Sequence, residues 1–174
     1  MKKFILFVLT AALTLSFTGC LGSGGPQLPG VNTAEGKDLK KVDASKYNND
    51  LEGLEKYLKD LNYLPEEIQS TDMMSDVIGA KSGDRLNFTV DNSVVYVELY
   101  EYDTDNMNKD AQRVTSEAKK DGQIKVLSDD DNAIFPATLS SNGKYLLMYT
   151  DNSTNEGNAT RKKNFTDAVK NFHK

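Results

Sequence analysis

Cysteine, histidine and tryptophan are nearly missing from this chain, whose 174 residues include one Cys, one His and no Trp. A single cysteine excludes an internal disulfide and a cysteine-rich zinc centre. The only histidine, His173, stands one residue from the C-terminus, where chains fray, and has no second His or Cys with which to build a metal centre or a triad. Positive charge is in the minority, with 21 Lys and Arg against 26 Asp and Glu, a net of −5. Duplex nucleic acid needs clustered basic side chains on its phosphates, so no nucleic-acid partner is expected. The length suits one domain with a real core and is too short for two ordinary ones. No cofactor and no metal are expected.

The longest apolar run lies at the N-terminus. Lys2 and Lys3 precede a stretch from Phe4 to Leu15 broken only by Thr10 and Thr14, which ends at Phe17-Thr18-Gly19-Cys20. It is too short to span a bilayer and has the basic start and small-residue end of a signal peptide. With Cys directly after Thr18-Gly19, it resembles a bacterial lipoprotein signal with its lipobox, Phe17 standing where Leu is usual. The resemblance implies lipidation of Cys20, cleavage before it, and a chain anchored to the membrane on its extracytoplasmic side. Two or three acyl chains give stable attachment where one is marginal. Loss of residues 1–19 removes Lys2 and Lys3 and leaves 19 basic against 26 acidic residues, a net of −7. Anionic lipid repels that charge, so the lipid and not a basic face would hold the protein. The Asn-, Asp- and Lys-rich composition is associated with a Gram-positive source.

Residues 20–42 carry Gly22, Gly24, Gly25, Pro26, Pro29, Gly30 and Gly36 with little apolar periodicity, and are expected to form a tether. Residues 43–174 are assigned to one α+β domain. Tyr47, Leu51, Leu54, Leu58 and Leu61 form a helical stripe with Asp43 or Ser45 as N-cap. Leu86, Phe88 and Val90, a turn at Asp91-Asn92, and Val95, Val97 and Leu99 read as a hairpin. Met107, Ala111, Val114 and Ala118 share a helix face stopped by Gly122. Asn142-Gly143 marks a second hairpin, and Phe165, Val169 and Phe172 mark a last helix. After the first helix the order hairpin-then-helix occurs twice, by duplication or by similar turn chemistry. The expected architecture is an antiparallel sheet of about four to five strands with helices on one face.

Motifs of catalysis fail. Lys81 lacks the glycines of a phosphate loop, since Ala80 and Ser75 stand in their places. Ser116 and Lys119 match the spacing of penicillin-recognising enzymes without the other elements. The runs from Asp103 and Asp129 lack the glycine and glutamate of a calcium loop and read as caps or turns. The suggestive feature is tyrosine. Tyr96, Tyr100 and Tyr102 share one side of a strand, and Tyr145 and Tyr149 suggest a similar row on the other hairpin. Exposed on an uncovered sheet face, these five would form a recognition surface for an envelope protein or a glycan. The expected function is a non-enzymatic, lipid-anchored binding or assembly module. The alternative is a small envelope enzyme acting on peptidoglycan or lipid through carboxylates. Glu98 and Glu101 point to opposite strand faces, so such an enzyme would need Glu98 in a cleft with Asp84 or Asp103.

Overall fold

A computed structural model describes residues 28–31, 42–73, 75–127 and 133–174. Cys20, the segment expected to be a signal peptide, most of the expected tether and the acidic run at 129–132 lie outside the described residues. The strands are β1 (Gly30–Val31), β2 (Ser70–Asp72), β3 (Ser82–Val90), β4 (Ser93–Glu101), β5 (Gln123–Lys125), β6 (Ile134–Pro136), β7 (Thr138–Leu139) and β8 (Tyr145–Asp151). The helices are α1 (Leu51–Asp60), α2 (Lys109–Asp121) and α3 (Glu156–Asn171). The main sheet runs β1-β3-β4-β8-β7, with β2 also paired to β3, and only β1 is parallel to its neighbour. β5 and β6 form a separate two-stranded ribbon. The fold is α+β, as expected. Among the described residues no helix is long and apolar enough to cross a membrane.

Local chemistry sets most boundaries. Asp91 and Asn92 both take positive φ, the geometry of the two-residue turn that matches strand twist. Asn108 caps α2 through its side chain to the Ala111 N–H, and Gly122 ends it in the left-handed region. α1 starts later than its apolar stripe suggests. Asp43 caps a short 3-10 turn at Ala44–Lys46, and Asp50 caps α1 by accepting from the Gly53 N–H. The buried Glu101 carboxylate then receives the Leu51 N–H at 2.9 Å, with Lys81 and Lys144 at 3.0 and 3.3 Å. The helix N-terminus and two ammonium groups together compensate a carboxylate that burial would otherwise penalise.

The helices do not share one face. Leu86, Phe88 and Val90 of β3, Val95, Val97 and Leu99 of β4, and Tyr145, Leu147 and Tyr149 of β8 pack in one core with α1 and α3. Tyr100, Tyr102 and Leu146 project to the other side and pack against Ala111, Val114 and Ala118 of α2. The split of the helices between two faces has a physical cause. The second face is apolar at one end, and the small side chains of α2 let a helix settle closely there. The two hairpin–helix units are present in order, yet their helices cover opposite faces.

Candidate functional site

Strand register builds the site. Cross-strand partners share a face, so the second face carries the row Gly83–Tyr100–Leu146, then Arg85–Glu98–Met148, then Asn87–Tyr96–Thr150. α2 packs over the first row and leaves the next two without a helix. A groove of about 510 Å³ opens there. Its floor is Arg85, Glu98, Met148, Tyr96, Tyr100 and Thr150. One wall is Met73, Val77 and Ile78, before and within the 3-10 turn Ser75–Ile78, and the other is Val126 and Phe135, near or on the β5–β6 ribbon. Phe135 and Tyr96 are 41% and 45% exposed, large for aromatic groups on a folded domain.

One polar network sits in this apolar setting. Arg85 donates through Nε to Glu98 Oε1 at 2.9 Å and also through Nη2 to the same oxygen. The Tyr100 hydroxyl donates to Glu98 Oε2 at 2.8 Å. Burial, and then the Glu98 carboxylate, push the Tyr100 phenol well above its ordinary range, so it remains a donor. The network is neutral overall and fixed in geometry. Gly83 allows it, since a Cβ there would lie 2.4 Å from the Tyr100 ring. Asn87 Oδ1, one row further out, is buried without a hydrogen-bond partner among the described residues. Apolar walls around a few oriented polar groups form the usual ligand site of a small domain.

The five expected tyrosines do not form one exposed surface. Tyr102, Tyr100, Tyr145 and Tyr149 are buried, and only Tyr96 is exposed. Tyr145 pairs with Glu101 and Tyr149 with Val97, a register that turns both rings into the core under α3. Tyr102 lies beneath α2, and Tyr100 supplies floor beneath the groove. Arg85, Met148, Val126 and Phe135 escaped sequence reasoning because they meet only through long-range pairing. The one available signal was the exposed apolar Ile134-Phe135 before Pro136.

The other described sequence candidates lie outside the groove, in local contacts or on the open surface. Asp103 accepts from the Asp105 N–H and the Asn106 side chain, which lowers its carboxyl, Asn106 first. His173 Nε2 contacts the Tyr47 carbonyl at 3.0 Å, so the C-terminus is held and not frayed. Lys81 binds Glu101, and Ser116 and Lys119 are exposed on α2. Glu98 and Asp84 project from opposite sheet faces, so they form no pair. Among the described residues no group of three or more His, Cys, Asp or Glu is placed to hold a metal ion. One pair was not foreseen. Burial and the neighbouring Asp84 push the Glu55 carboxyl of α1 up to about 7. In comparison with known proteins, the chain matches no family model, no curated protein and no solved structure.

Proposed function

We propose that this protein is a non-enzymatic, lipid-anchored binding module on the extracytoplasmic side of a bacterial membrane. Its groove takes an apolar or aromatic part of an envelope protein or glycan. The observation that carries this reading is the groove itself, with exposed Phe135 in its wall, and exposed Tyr96 and the neutral Arg85–Glu98–Tyr100 network in its floor. Apolar and aromatic surface would supply affinity, and the polar network orientation. Lipidation of Cys20 is supported by the signal and lipobox pattern.

An enzyme acting through paired carboxylates has less support. Glu98 is the only carboxylate among the described lining residues, and both of its oxygens are engaged by Arg85 and Tyr100. A photo-reactive amino acid at Phe135, used in intact cells, is expected to give a discrete adduct that disappears with Tyr96→Ala. An adduct pattern matching that of Lys163, exposed on α3, would overturn the assignment.

A further inference from the structure

We propose that residues 29–31, about ten residues beyond Cys20, act as a docking strap, in which β1 clips to the outer edge of β3 and holds the groove near the lipid surface. This rests on the lipid anchor proposed above. Residues 20–42 are expected from their composition to be a plain tether, yet Gly30 and Val31 pair with Thr89 and Val90. The Thr89 N–H donates to the Pro29 carbonyl at 2.9 Å. β2 occupies the same edge only at Asp84–Leu86, which leaves the end near the Asp91-Asn92 turn for β1.

The strap residues suit this edge. Pro29 lacks an N–H and is preset to extended backbone, tolerable only on an outermost strand. A Cβ at Gly30 would lie 2.5 Å from Thr89 Oγ1, so glycine permits the close approach. β1 is also the one parallel strand of the sheet, entering from outside the antiparallel meander.

Contour length gives the docking its consequence. Gly30 is ten residues beyond Cys20, which limits its distance from the lipidated residue to about 35 Å. Without docking, the first constraint would come near Asp43, about 80 Å of extended chain away. The groove floor spans β3, β4 and β8, within about 15 Å of β1 at ordinary strand spacing. The net charge expected after cleavage is repelled by anionic lipid, so the short covalent reach and not attraction sets the height. The groove would therefore work on membrane-proximal partners.

Insertions test this without touching the fold. The full-length lipidated protein carries a dye on Asn152→Cys, an exposed position after β8, and sits in liposomes containing acceptor lipids. Ten Gly/Ser residues inserted between residues 24 and 25 are expected to reduce energy transfer to the bilayer. The same insertion between residues 36 and 37, beyond the strap, is expected to leave transfer unchanged, and to matter only when Gly30→Val is added. Equal losses from both insertions, or no loss from either, would overturn the strap. Absence of the diacylglyceryl mass on Cys20 would overturn the anchor itself, and the inference with it, by a separate readout.

Discussion

The two faces of the main sheet differ in how fully they are closed. On one, α1 and α3 lie over β3, β4 and β8, and Phe88, Leu99, Tyr145, Phe165 and Phe172 are fully buried. On the other, α2 closes only the row of Tyr100 and Leu146, and the remaining area opens into the groove. Their carboxylates differ likewise. Glu101, on the closed face, holds the N-terminus of α1 with two lysines, whereas Glu98, on the open face, shapes a cleft with Arg85 and Tyr100. The closed face holds the larger buried core, and the open face leaves a groove uncovered.

Aromatic truncation should expose this difference most strongly. Phe165→Ala removes a buried ring from the closed core and is expected to cost about 3–5 kcal/mol in denaturant unfolding. Phe135→Ala at the groove rim should change stability by less than about 1 kcal/mol. Equal losses would mean that both faces are structural. The carboxylates should follow the same order at smaller size. Glu101→Ala strands the Leu51 N–H and is expected to cost about 1.5–3 kcal/mol. Glu98→Ala returns Arg85 to water and leaves the Tyr100 hydroxyl beside the groove without its acceptor, and should cost about 1–1.5 kcal/mol in the same assay.

The closed face should also be the pH-sensitive one. Burial, then Asp84, raise Glu55 to about 7, and burial also raises Asp84. Lys59 opposes the shift on Glu55 while Glu52 adds to it, and Asp72 adds to the shift on Asp84. The folded state therefore binds more protons than the unfolded chain between the ordinary glutamate range and about pH 7. Stability should fall as pH rises through that window and level off above it. Glu55→Gln is expected to flatten the dependence and to stabilise the protein by about 1–2 kcal/mol at pH 8, after allowance for screening. Thermal unfolding from pH 4 to pH 8 reads this directly, and a profile unchanged by the substitution would refute it. The smallest effect on stability belongs to Tyr96→Ala, about 0.5 kcal/mol or less by chemical denaturation.

Local signals in the sequence located the β3–β4 hairpin, the end of α2 at Gly122 and the stripe of α3, because each depends on neighbouring residues. Asp91-Asn92 and Gly122 have the φ angles that their chemistry implies. Which way β8 faces depends on its register against β4, a long-range choice that no turn residue encodes. One residue of slip decides whether Tyr145 and Tyr149 meet α3 or solvent, and the pairing of Tyr145 with Glu101 decided for α3. The side taken by α2 was hidden for a similar reason, since its small-residue stripe fits either face. Of the expected surface, Tyr96 and Tyr100 remain in the groove. The residues that complete it come from β3, β8 and the β5–β6 ribbon.

The most direct test of the open face is a titration with the apolar fluorescent probe N-phenyl-1-naphthylamine. Saturable binding at one site is expected, weakened at least about tenfold by Met148→Glu, which would place a charge in the groove floor and disfavour an apolar ligand. Binding that survives Met148→Glu in a folded protein would contradict it.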